Sequence, residues 1–180
     1  ERWVGRTPDK PENEKSVQGS RDSFVENLRT NLAILRTKIA NYNLRFEQHD
    51  IGSTTKQQLM ITYIHGLADE DMLERLRKRI DALNFDGFLS SSYVAQMIAD
   101  QKRSPFPQWI ITERTDKAQA ALLEGRIIIL LTGSPNALIL PVSFWSFFQT
   151  MDDFTFHHWT GSLLGFFRFL GMFLSLFLPA

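Results

Sequence analysis

Between Gly161 and Ala180 the chain carries a single charged residue, Arg168. Around it stand Leu163, Leu164, Phe166, Phe167, Phe169, Leu170, Met172, Phe173, Leu174, Leu176, Phe177 and Leu178. At about 1.5 Å of rise per residue, a helix of this length spans the ~30 Å hydrocarbon core of a bilayer. An amphipathic helix lying on a surface is the alternative, but these apolar residues do not keep to one face. The stretch therefore predicts the start of a transmembrane helix over 161–180, with those side chains in lipid. The run is still apolar at Ala180, so the helix is expected to continue past it. Pro179 is tolerated where neighbouring groups satisfy the freed carbonyl. A charge at mid-membrane is costly and usually functional. Arg168 is instead expected near the interface, where its long stem lets the guanidinium reach water. Trp145 and Trp159, just upstream, suit an interfacial belt.

The rest of the chain is built for water. Ten of the fifteen Phe lie between Phe144 and Phe177, so the two ends face different solvents. Residues 1–20 read as a flexible tail, with Pro8, Pro11 and many charges. They hold no apolar run, and no signal peptide is expected at this end. Lys and Arg total 20 and Asp and Glu total 20. That balance argues against nucleic-acid binding by bulk charge. The basic run Arg75–Arg79 follows Asp69, Glu70, Asp71 and Glu74 and reads as a solvated helix face. Cysteine is absent, which excludes disulfides, thiolate metal sites and cysteine nucleophiles.

Helical and strand periods alternate along residues 21–151. Ser23 with Glu26 fits a capping box, and Phe24, Leu28, Leu32, Leu35 and Ile39 recur at helical spacing. Leu44, Phe46 and Gln48 alternate with Arg45, Glu47 and His49, a half-buried strand. Leu59–Ile64 is more continuously apolar and suits a central strand. Asp69–Leu83 predicts a helix burying Met72, Leu73, Leu76, Ile80 and Leu83, with acids leading and bases trailing. Asn84–Leu89 suggests a short strand and Ser92–Asp100 a short helix. Ser104-Pro105-Phe106-Pro107 is a rigid break. Beyond it, Trp109-Ile110-Ile111 is strand-like and Asp116–Glu124 a helix stopped by Gly125. Ile127–Leu131 is a buried strand, Thr132–Pro135 a turn, and Ala137–Leu140 a further strand. The expected fold is α/β with mixed sheets in two lobes, 21–103 and 104–151. A juxtamembrane link over 152–160 and the membrane helix follow.

No catalytic constellation stands out. The histidines are His49, His65, His157 and His158, and adjacent His157-His158 does not set two ligands on one helix face. Gly133-Ser134-Pro135 lacks the lysine and helix of a phosphate loop and reads as a turn. No nucleophile elbow occurs. The reading is a non-enzyme with no cofactor and no metal.

Several ordered strings carry a family resemblance. They are Val17–Phe24, Leu28–Ala33 with Leu35-Arg36, Asn43–Phe46, Ile51-Gly52, Thr62–Gly66 and Ser104–Pro107. Glu113-Arg114 with Asp116-Lys117, Leu122–Arg126, Gly133–Pro135 and Phe169–Ala180 complete them. From about residue 17 onward the chain resembles the A-subunit family of GerA-type spore germination receptors. It departs from the family pattern at Ser20 (usually Pro), Asp22 (Glu), Ser23 (Gly), Thr115 (Pro) and Thr132 (Asp). The change at Thr132 argues against an essential carboxylate there. The resemblance implies a multi-pass protein of the spore inner membrane whose N-terminal domain faces the core. It implies a polytopic B subunit that binds the nutrient and a C-subunit lipoprotein as partners. It further implies an oligomer forming a nutrient-gated ion channel. A membrane-anchored scaffold that docks other germination proteins is the second reading.

Overall fold

Ile127–Leu131, a run of three isoleucines and two leucines, forms a strand buried at every residue. β-branched side chains favour the pleated backbone, and a run apolar on both faces needs cover on both faces. The computed structural model describes residues 22–52, 54, 56–83, 90–99 and 108–142, together with 166, 167, 169–171, 174 and 175. The described residues fall in two compact units, one within Arg21–Val142 and one within Ser143–Ala180.

In the first unit the elements run α1 (Leu28–Lys38), β1 (Leu44–Ile51), β2 (Gln57–Ile64), α2 (Glu70–Asp81) and α3 (Ser91–Ile98). Then come β3 (Ile110–Thr112), α4 (Thr115–Leu123), β4 (Ile127–Leu131) and β5 (Ala137–Leu140). The strands form one five-stranded sheet in the order β1-β2-β4-β5-β3. Alternate residues of each strand serve opposite faces. Leu59, Ile61, Ile127, Ile129, Leu131, Leu138 and Leu140 meet Leu73, Leu76 and Ile80 of α2 and Val94, Ala95 and Ile98 of α3. Met60, Ile64, Ile128, Leu130, Ala137 and Ile139 meet Leu28 and Leu35 of α1 and Ala118, Ala121 and Leu122 of α4. Two helices on each side thus sandwich the sheet.

The α/β class is the one expected, with two differences of arrangement. Every ladder among the described residues is antiparallel, where mixed sheets were expected. Parallel neighbours need a crossover of a dozen residues or more, and the short connections at 52–56 and 132–136 allow only hairpins. Strands from both stretches expected as lobes, 21–103 and 104–151, also join this one sheet, with β2 paired directly to β4. β2 is interior, as its apolar run predicts. The expected strand at Asn84–Leu89, the break at Ser104–Pro107 and the link at 152–160 lie outside the described residues.

The first helix begins later than Ser23. Asn27 is its N-cap, accepting from the amides of Arg29 and Thr30. Residues 22–26 instead form an extended strap. Phe24 N donates to Glu113 O at 2.8 Å, and Thr115 N and Oγ1 both donate to Asp22 O. Ser23 and Arg114 pair as an isolated bridge, and Gly133 N donates to Glu26 O. Buried Asn31 clamps the strap from the helix. Its Oδ1 accepts from Val25 N at 2.8 Å and its Nδ2 donates to Val25 O at 2.6 Å. Phe24 still reaches the core, from the strap rather than from a helix turn.

α4 ends in a Schellman motif: Arg126 N donates to Ala121 O and Gly125 N to Leu122 O. Gly125 has φ +81°, and a Cβ there would lie 2.6 Å from Leu67 O. Gly66 has φ +83° but open space around it. Gly66→Ala is expected to cost about 1–2 kcal/mol, the left-handed backbone penalty. Gly125→Ala should cost clearly more, because the Leu67 backbone must also move. Thermal denaturation of the two variants measures the difference; equal losses would show that the Leu67 loop gives way freely.

Candidate functional site

The described residues bring one set of ionisable side chains together across three elements. Odd-numbered residues of β1 face α2, so Glu47 and His49 point at Arg77 and Asp81, one helical turn apart. Arg77 grips Glu47 with both arms, Nε to Oε2 at 2.8 Å and an Nη2 to Oε1 at 2.7 Å. Tyr63 on β2 donates its hydroxyl to the same Oε1 at 2.5 Å, and Arg77 Nη2 also reaches the Tyr63 oxygen at 3.2 Å. The Arg77 guanidinium lies 5.9 Å from the centre of the Tyr63 ring. His49 Nδ1 and Asp81 Oδ1 stand 3.1 Å apart. The side chains of Arg77 and Glu47 are 32% and 29% exposed, so the cluster borders water.

Its electrostatics lock it in one protonation state. The Arg77 hydrogen bonds hold the Glu47 carboxyl below its ordinary value of 4.5, against the opposing effect of burial. Burial, then the hydrogen bond to Glu47, pushes the Tyr63 phenol up. Arg77 is pushed further up by the same bond to Glu47. None of the three trades a proton near neutral pH, so the set is a poor general acid or base. What it does is fasten α2 to the outer strand of the sheet.

Two further polar contacts lie where the strap docks on the sheet. Arg114, buried at the start of α4, holds Asp116 through Nε at 3.0 Å and through a second nitrogen. Burial raises the Asp116 carboxyl, but the Arg114 bonds and the Lys117 amide outweigh it and leave the group lowered. Ser91 on α3 and Ser134 in the β4–β5 turn share a buried hydrogen bond of 2.6 Å. Gly133-Ser134-Pro135 is thus a turn, as its sequence suggested, docked on α3. Thr62 Oγ1 and Thr132 Oγ1 are buried with no hydrogen-bond partner among the described residues. No group of three His, Asp or Glu side chains among the described residues is placed to hold a metal ion.

Of the residues expected in lipid, Phe166, Phe167, Phe169, Leu170 and Leu174 are helical in the second unit. Phe166, Phe167, Leu170 and Leu174 are exposed, and the Phe166 and Phe167 rings meet edge to face at 6.2 Å. Leu163, Leu164, Arg168, Met172, Phe173, Leu176, Phe177 and Leu178 lie outside the described residues. Among the described residues no helix is long and apolar enough to cross a membrane. The Glu47–Tyr63–Arg77 cluster was not anticipated. Its signal was an acid on the alternating strand, facing the same way as the basic run of the second helix, with Arg77 thirty positions after Glu47.

These features define an α/β/α domain with a fastened polar edge and no assembled catalytic set among the described residues. Residues 1–180 match the family described as Bacillus/Clostridium GerA spore germination protein, and the chain belongs to that family. It is 37% identical over 179 residues to stage V sporulation protein AF of Bacillus subtilis (strain 168), covering 98% of this chain and 36% of that protein. It is 35% identical over 175 residues to spore germination protein KA of the same organism, covering 97% of this chain and 32% of that one. The chain thus spans about a third of the length of these relatives. The N-terminal domain of the A subunit of the Bacillus megaterium spore germinant receptor GerK3 is 42% identical, with a TM-score of 0.54. That match covers 68% of this chain and 97% of the solved domain.

The Glu47 carboxyl titrates lower in the folded chain than in the unfolded one. Its stabilisation is therefore complete above the ordinary value of 4.5 and is lost as pH falls through the folded value. Glu47→Gln is expected to cost about 1 kcal/mol at pH 7, a charged hydrogen bond discounted for partial exposure. In urea titrations at pH 7, 5 and 3, the gap between wild type and variant should narrow with acid. A gap that stays constant would mean Glu47 is not the ionised partner of Arg77.

Proposed function

We propose that the chain is the N-terminal part of the A subunit of a nutrient-responsive spore germination receptor in the spore inner membrane. The observation that carries this is the 42% identity to the A-subunit domain of the GerK3 receptor, across 97% of that domain. Membership of the GerA family and the likeness to spore germination protein KA support it. In this reading the protein has no enzymatic step. It works with a polytopic B subunit and a C-subunit lipoprotein, and several copies form a nutrient-gated ion channel. The domain over 22–142 lies on the core side, and residues 161–180 enter the bilayer with Arg168 near the interface. The exposed Phe166, Phe167, Leu170 and Leu174 favour that placement, because a row of large apolar side chains needs a partner other than water.

A firmly packed sheet with a locked polar edge suits a body that moves as a unit. Such a domain biases a gate only if its contacts differ between the closed and open states. The second reading is a membrane-anchored scaffold that docks other germination proteins.

Dipicolinic acid release from spores lacking the gene, measured across a panel of nutrients, tests the receptor reading. Loss of release with one nutrient, restored by the gene, is expected. Normal release with every nutrient, still seen after all paralogous genes are removed, would contradict the receptor reading.

A further inference from the structure

One end of the sheet carries an unusual set of exposed apolar side chains. β1 starts there, at Leu44 opposite Ile64, and β4 starts there, at Ile127 opposite Leu140. The loops at that end are joined to one another. His65 N donates to Asn43 O at 2.8 Å, and Leu67 O packs against Gly125. Tyr42, Leu67 and Leu123 on these loops are 97%, 50% and 55% exposed. The polypeptide also leaves the sheet at this end, through Leu140, Pro141 and Val142. Residues 143–160 alone separate Val142 from the apolar stretch that begins at Gly161. At the opposite end, among the described residues, the 132–136 connection and the strap are polar or held in contacts, and Tyr93 at the start of α3 is the large exposed side chain there, at 43%.

We infer that this end of the domain rests on the bilayer, with Tyr42, Leu67 and Leu123 inserted at the membrane interface. The inference rests on the reading that residues 161–180 enter the membrane. Tyrosine with an apolar ring and a polar tip is a residue of that zone. Charges around the patch are of both signs: exposed Arg45, Arg126 with Glu124, and exposed Asp69, Glu70 and Asp71. Such a rim gives no net pull toward anionic lipid, so the contact is apolar and tolerates salt and a zwitterionic surface. A few side chains hold a free domain only weakly. A tether into the same membrane raises the effective concentration enough to make the contact persistent.

The chain has no cysteine, so single cysteines can be labelled cleanly. Tyr42→Cys, Leu67→Cys and Leu123→Cys, with Lys56→Cys at the other end as control, are labelled with a polarity-sensitive fluorophore. Each 180-residue chain is reconstituted into phosphatidylcholine vesicles containing spin-labelled lipid. Flotation of the vesicles is measured alongside. The expected result is that the chain floats, that labels at 42, 67 and 123 are quenched in low and high salt, and that the label at 56 is not. A chain that floats with all labels unquenched overturns the inference while leaving the membrane reading in place. Cross-linking between copies at position 42 without lipid quenching overturns it too, and assigns the patch to self-association. A chain that fails to float overturns the membrane reading and the inference with it.

Discussion

β4 is buried along its whole length, and the rest of the first unit is arranged to cover it. Its two faces are both aliphatic, so it is stable only at the centre of a sheet with helices above and below. β2 and β5 flank it and are themselves almost wholly buried. α2 and α3 take one face, α1 and α4 the other. Removing a branched side chain from such a strand typically costs a few kcal/mol, because a close-packed interior refills a cavity only partly. That sensitivity links the stretches before and after Ser104–Pro107, since β4 comes from one and β2 from the other.

The margins use polar chemistry where apolar burial runs out. β1 lies at the edge of the sheet, and its α2-facing side is too close to water for a fully apolar surface. Glu47, Tyr63 and Arg77 fill that place and cover part of the α2–β1 seam. At the far end the strap of residues 22–26 covers the β3–α4 corner with backbone hydrogen bonds, and Asn31 satisfies the strap in turn. The two ends of the sheet therefore differ: one is closed by the strap, and the other presents Tyr42, Leu67 and Leu123.

Much of this was legible in the sequence. The bounds of β4, β5 and α2 follow from local pattern, because an apolar run beside a turn signal, or acids leading bases on a 3.6-residue period, has one good local solution. Gly125 was legible as a helix stop for the same reason. The start of α1 was not, because Ser23 and Glu26 satisfy a capping pattern that the strap overrides through partners about ninety residues away. Strand direction is not encoded in periodicity, although the five-residue connections at 52–56 and 132–136 were a usable clue to hairpins. The Glu47–Arg77 grip depends on the twist and register of β1 against α2, which no spacing rule contains. The apolar stretch at 161–180 was the plainest feature of composition, and the family resemblance agrees with the GerA match along the chain.

Residues on both sides of Ser104–Pro107 fold as one body around β4. Native-state hydrogen exchange measures this directly. The amides of β2, β4 and β5 are predicted to open together, with one free energy equal to that of global unfolding. Exchange of β1 and β2 as one unit, with β3 to β5 opening separately at a lower free energy, would contradict it.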